Sequence, residues 1–198
     1  MTDLFQEPDD ATPLEASERE ALLQTWITHR SDLNEAEEAN IVSGALWGRR
    51  RRGLKPADLL NEEFAKTLHA KMFGDVWKWA GTYRKTERNI GIDPHLIPVE
   101  MPAMFDDIRY WVEHKTYPPD EIAVRLHHRL VAIHPFPNGN GRHARLMADL
   151  LIEQLGGKPF SWGGGSLADV GTLRTRYVAA LKSADNHDIG PLLEFARS

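Results

Sequence analysis

Between residues 134 and 145 the chain reads H-P-F-P-N-G-N-G-R-H-A-R, and this stretch narrows the folds open to it. Pro135 has no amide hydrogen to give a helix, and it disfavours helical geometry in the residue before it. The apolar face built by Ile122, Ala123, Leu126, Leu130 and Ile133 repeats at helical spacing and must stop there. Gly139 and Gly141 let the backbone bend and approach other groups closely. From Gly141 a helical pattern resumes, runs to Leu155 and is closed by Gly156 and Gly157. The segment dictates a helix, a short loop and a second helix.

That loop carries chemistry. The first amides of a helix lack internal partners, and the helix dipole favours an anion beside them. Successive amides of Gly139, Asn140, Gly141 and Arg142 can line a concave nest for phosphate oxygens. Arg142 and Arg145 lie three residues apart, nearly on one helix face, and each guanidinium can fork onto phosphate oxygens. His134 stands at the other end of the loop, where a neutral imidazole can take a proton from an attacking hydroxyl. Anion nest, arginine clamp and base together point to transfer of a phosphorus-containing group.

The rest of the chain reads as helices. Residues 1–14 are acidic, carry Pro8 and Pro13, and read as a mobile arm. Ser17 and Glu20 have capping-box spacing and open a helix with Leu22, Leu23, Trp26 and Ile27 on one face. A second helix is expected over residues 32–50, with acidic residues first and Arg49 to Arg52 last, matching the dipole. Pro56 and Asp58 start a third, which carries Leu59, Leu60, Phe64, Leu68 and Met72 and stops at Gly74. Residues 81–98 change texture, with β-formers around a turn-prone 89–91 region, and predict a hairpin or extended flap. Helices follow near Glu100, after an Asp120 cap, over 167–181 and over 191–196. The reading is an all-α bundle with one β-hairpin flap ahead of the signature. It divides into the arm (1–14), N-terminal helices (15–57), a core (58–183) and a C-terminal helix packing on that core (184–198).

Composition bounds the partners. The 198 residues include no cysteine, so disulfides and thiolate chemistry are excluded. A net charge of −5 argues against nucleic acid as a general partner. No apolar run is long enough to cross a bilayer. The N-terminus lacks the basic and apolar regions of a signal peptide, so a cytoplasmic protein is expected.

Residues 134–145 resemble the signature of the Fic (Fido) family, His-x-Phe-x-Asp/Glu-Gly-Asn-Gly-Arg-x-x-Arg, at His134, Phe136, Gly139, Asn140, Gly141, Arg142 and Arg145. The stretches L-N-E-A-E-E-A-N-I, M-F-G-D-V-W-K-W-A-G and H-D-I-G-P-L-L further resemble the bacterial subgroup called mobile mystery protein B. The resemblance implies a protein adenylyltransferase. His134 would deprotonate a Ser, Thr or Tyr hydroxyl of a target protein, which attacks the α-phosphate of ATP. Phe136 would anchor the loop, Gly139 to Arg142 would cradle phosphates, and Arg145 would hold the outer phosphate. The flap, through Thr82, Tyr83, Arg84, Lys85 and Thr86, would add the target's backbone as a strand. The subgroup likeness implies a small helix-turn-helix partner, in a toxin–antitoxin-like pair. In the toxin branch a Lys stands where this chain has Gly141, which favours nucleotidyl over phosphoryl transfer.

One position departs from the signature. Asn138 replaces the acidic residue that helps hold Mg²⁺, and hard cations prefer anionic oxygen. Metal at Asn138 would be weakly held. Slow AMP transfer, another nucleotide or phosphoryl donor, and a non-catalytic nucleotide-binding or interaction module all stay open. Many Fic proteins also carry an inhibitory Ser/Thr-x-x-x-Glu-Gly/Asn helix. Ser31-x-x-x-Glu35 fits its first half, with Ala36 in place of Gly or Asn, and Glu38 is a rival. Such a glutamate is expected near Arg145. A solvated acidic helix start explains the same residues.

Overall fold

A computed structural model of the chain describes residues 16–51, 53–165 and 169–198, with the side chains of residues 16 and 17 excepted. The acidic arm and the Ser17 side chain of the expected capping box lie outside the described residues. Among those residues no strand forms, and the fold is helical: α1 (Ala16–Ala21), α2 (Arg30–Arg49), α3 (Pro56–Leu59), α4 (Glu62–Phe73), α5 (Ile97–His114), α6 (Pro119–Ile133), α7 (Asn140–Gln154), α8 (Val170–Asp185) and α9 (Gly190–Arg197).

The centre of the bundle is α7. From His143 to Ile152 every residue of it is buried, the pattern of a helix enclosed on all sides. It packs along α6 and also meets α2, α3 and α4. On α2 the buried positions are Leu33, Glu37, Asn40, Gly44 and Gly48, a single stripe at helical spacing. The glycines bring that stripe close. A Cβ at Gly44 would stand 2.7 Å from Met72 Cγ, and one at Gly48 would stand 3.0 Å from Leu150. Asn40 fastens α2 to the end of α4: its amide nitrogen donates to the Lys71 carbonyl and Asp75, and its oxygen accepts the Asp75 amide.

Several expectations are corrected. The first helix ends at Ala21. Leu22 instead bridges the backbone of Trp77, and Leu23 and Trp26 are exposed. The third helix is two helices, because Asn61 accepts the Phe64 amide through its side chain and restarts the chain at Glu62. Asp120 is no cap. Pro118 holds the cap position, and Asp120 receives the guanidinium of Arg197 from α9. The β-hairpin is also absent. Residues 82–93 form an irregular segment followed by a 3-10 turn at Pro94–Leu96.

Candidate active site

The site is built at the junction of α6 and α7. His134 is the C-terminal cap of α6 in left-handed geometry, with φ 52°, a conformation that costs a non-glycine residue about 1–2 kcal/mol. Arg84 holds it there. The Arg84 guanidinium is 3% exposed and donates to the carbonyls of His134 (2.6 Å), Thr86 (3.0 Å), Ile92 (2.5 Å) and Ile133 (3.4 Å). Its backbone amide donates to the Pro135 carbonyl at 2.9 Å. Gly91, at φ 99°, presses against the same spot. A Cβ there would lie 2.6 Å from His134 Cβ and 2.8 Å from the Arg84 guanidinium. The turn-prone 89–91 region therefore supplies the gap into which His134 fits.

The side chain of Arg84, a residue expected in the target-docking flap, therefore faces inward. Its charge is consumed inside the protein, where four backbone carbonyls converge on it. Tyr83 is likewise turned inward, donating to Glu62 at 3.0 Å beneath the Lys66 ammonium. Lys85 and Thr86 are exposed. Arg84→Lys, which keeps the charge and loses the fork, is expected to cost roughly 2–3 kcal/mol of stability, read by chemical denaturation. A docking residue would leave the denaturation midpoint unchanged.

His134 is neutral near pH 7. Burial and the nearby Arg84 and Arg88 charges bring its pKa down to about 4. Its Nδ1 is buried without a hydrogen-bond partner among the described residues, while the Val131 carbonyl favours a proton on the ring.

Across the loop, Phe136 is fully buried and stacks on His69 with ring centroids 3.7 Å apart. Asn140 closes the loop with its side chain, accepting the Phe136 amide at 2.9 Å and donating to the Phe136 carbonyl at 2.8 Å. Its expected place in the phosphate cradle is thus left to its backbone amide alone. Gly139 has φ 76°, and a Cβ there would stand 2.4 Å from the Phe73 ring. No other residue fits without displacing the loop. The amides of Asn140, Gly141 and Arg142 open α7 and have no acceptor one turn back. Asn138 is exposed, and its oxygen accepts the Gly139 amide at 2.7 Å. The described residues hold no cluster of three or more His, Asp or Glu that could bind a metal. One neutral amide oxygen, already accepting a hydrogen bond, does not fit a protein-held Mg²⁺.

The two arginines differ. Arg145 is buried, beside His127 and Tyr177. Arg142 lies over the Phe73 ring and donates to Glu37 at 2.6 Å. Glu37 is 5% exposed and also accepts the Trp77 indole at 2.6 Å. Glu35 and Glu38, the residues expected from sequence, are exposed on other faces of α2. The carboxylate that reaches the signature is Glu37, because it sits on the stripe with Asn40, Gly44 and Gly48. That spacing was the signal by which sequence could have found it. Two further aromatics after the signature, Trp162 and Tyr177, are buried and engaged with Asp149 and His127.

Four buried or half-buried histidines, His69, His127, His134 and His143, make stability acid-sensitive, because each has a pKa lowered by burial. His127, His134 and His143 have pKa values lowered by burial to about 3, 4 and 4. Below pH 6.5 the unfolded chain takes up protons that the folded one refuses, so stability falls as the pH drops towards 4. Asp149 opposes this. Burial raises its pKa to about 6, so the folded state gains protons there first. The histidines outnumber it, and unfolding free energy measured by urea titration should decline by a few kcal/mol between about pH 6.5 and 4.

Fold and loop together define a class: an all-α domain in which an imidazole and the open N-terminus of a central helix face each other across one glycine-bearing turn. Residues 59–152 match the model of the Fic/DOC family. Protein adenylyltransferase fic-1 of Caenorhabditis elegans is 32% identical over 132 residues, 65% of this chain and 25% of that protein. Protein adenylyltransferase Fic of Drosophila melanogaster is 30% identical over the same length, again 65% of this chain and 25% of the relative. The chain thus spans about a quarter of the length of the curated relatives it matches. A solved part of Fic-1 from C. elegans superimposes with TM-score 0.62 at 26% identity, over 81% of this chain and 48% of that one. BepC of Bartonella tribocorum, solved with bound AMPPNP, gives TM-score 0.68 at 19% identity over 97% of this chain and 94% of its own, a likeness of fold. No helix among the described residues is long and apolar enough to cross a membrane.

Proposed function

We propose that the chain is a nucleotidyl transferase that moves AMP from ATP to a Ser, Thr or Tyr hydroxyl of a target protein. The observation that carries this reading is His134, a neutral imidazole fixed by Arg84 across a short loop from the open N-terminus of α7. One ring nitrogen keeps its proton and the other, bearing the lone pair, takes the proton of the target hydroxyl. The hydroxyl oxygen bonds to the α-phosphorus, the bond from that phosphorus to the bridging oxygen breaks, and pyrophosphate leaves with the electron pair. The amides of Asn140, Gly141 and Arg142 bind phosphate oxygens, and Arg142 and Arg145 neutralise charge developing on them. The adenylyltransferase names of the Caenorhabditis and Drosophila relatives support the choice of AMP, and the AMPPNP in BepC supports a nucleotide at this fold's site. Any divalent cation would be held by the nucleotide's phosphates, with Asn138 adding little. A helix-turn-helix partner goes with the subgroup likeness, and a reducing, cytoplasmic setting goes with the cysteine-free composition.

Glu37 regulates this site in the same reading. While it holds Arg142, that guanidinium is turned from the phosphates, so the carboxylate is an inhibitory one.

The test is label position. The protein is incubated with cell lysate, a divalent cation and α- or γ-labelled ATP, GTP, CTP or UTP. Label from α-ATP on protein supports the reading. Label from γ-ATP would move it to phosphoryl transfer, and a preference for another nucleotide would change the donor.

A further inference from the structure

Both loops of the site rest on one face of α4. Lys66, Ala70 and Phe73 share that face with His69. A Cβ at Gly81 would meet Ala70 Cβ and the Lys66 carbonyl at 2.9 Å, and one at Gly139 would meet Phe73 at 2.4 Å. His69 lies between these contacts, fully buried, and bonds to both loops. The Gly81 amide donates to its Nδ1 at 3.0 Å, and its Nε2 is 3.1 Å from the Asn138 carbonyl.

The first bond decides the second. An amide hydrogen points at Nδ1, so Nδ1 bears the lone pair and the ring proton is on Nε2, which donates to Asn138. Burial opposes charge on the ring and holds its pKa well below the ordinary histidine value, and protonation would also bring two hydrogens face to face at Gly81. His69 is therefore a fixed two-ended connector. At one end is the carbonyl just before the α7 amide nest. At the other is the turn from which residues 82–93 leave for Arg84 and His134.

We infer that His69 is a positioning residue that ties the phosphate-binding loop to the 82–93 segment, so that ordering one orders the other. This rests on the AMP-transfer reading only for its functional meaning, because the connection itself is a pair of hydrogen bonds within the chain.

The two ends can be cut separately. An Asn side chain places its oxygen near the Nδ1 position, and a Gln places its amide nitrogen near the Nε2 position. His69→Asn keeps the Gly81 bond and loses the Asn138 bond, and His69→Gln does the reverse. Hydrogen exchange followed amide by amide is the readout, with AMPPNP affinity measured by titration calorimetry. In His69→Gln, exchange at Gly81 should rise about tenfold, the factor one buried hydrogen bond carries, with exchange at Gly139 and His143 unchanged and AMPPNP affinity retained. In His69→Asn, Gly139 and His143 should exchange faster, AMPPNP affinity should fall about tenfold, and Gly81 should stay protected. AMPPNP should slow exchange across 82–93 in the wild type and fail to do so in both variants, each of which cuts one end of the connector.

The inference is overturned if both variants loosen the same segment equally, or if neither changes exchange at either end. Should wild type bind no AMPPNP, the proposed function falls while the exchange pattern in free protein still decides the connection.

Discussion

Replacing Glu37 by Gln is expected to raise AMP transfer and ATP affinity by about 10- to 100-fold. The carboxylate lies 2.6 Å from Arg142 and is almost fully buried, and close charge pairs in such settings couple by about 1.5 kcal/mol or more, which is tenfold or more in an equilibrium. Gln keeps the oxygen that accepts the Trp77 indole and removes the charge. Arg142 is then released to phosphate with the α2–Trp77 contact preserved. Glu37→Ala also strands the indole and should cost further stability, about 1–3 kcal/mol. Glu35→Gln and Glu38→Gln, on exposed faces, should change neither transfer nor affinity. Titration calorimetry with ATP and initial rates with α-labelled ATP read both effects. A fall in ATP affinity for Glu37→Gln would mean that Glu37 holds Arg142 in the binding pose.

Replacing His134 by Ala in the Glu37→Gln background should lower transfer by about 10²–10⁴-fold, the range for a positioned general base, and leave ATP affinity within about twofold. The pH profile carries an independent signature. The base works as the neutral ring, and its pKa is lowered to about 4 by burial and by Arg84 and Arg88. Protonation therefore removes activity only as the pH falls through about 4. The rate per unit substrate, kcat/KM, should stay level from about pH 8 to 5, where an unperturbed histidine would already have lost most of its base form. Arg84→Lys should lower the rate and leave the acid limb near the same pH, since Lys keeps the charge that depresses the ring's pKa and loses only the fork that places the ring.

Much of the fold could be read from spacing. The helices around the signature follow from apolar repeats bounded by Pro118, Pro119, Pro135 and Gly156, and the signature itself from seven positions within twelve residues. What the spacing of apolar residues alone could not convey was the direction of polar side chains. Arg84 looks like a flap residue in a polar run, yet the chain turns it inward because the left-handed cap at His134 exposes carbonyls that need a donor. Glu37 looks like one acidic residue among several. It is singled out by the glycines at 44 and 48, which pull its face of α2 against α4 and α7. The hairpin expected over 81–98 does not form because the backbone there is spent on Arg84, Gly91 and the α6 terminus rather than on a strand partner.

The most direct test of the account is the product itself. Glu37→Gln protein is incubated with ATP, a divalent cation and lysate, alongside the same protein carrying His134→Ala, and modified peptides are sequenced by mass spectrometry. An adenylate ester is expected on Ser, Thr or Tyr side chains, appearing with His134 and disappearing without it. Phosphate in place of adenylate, or adenylate formed equally by both proteins, would contradict it.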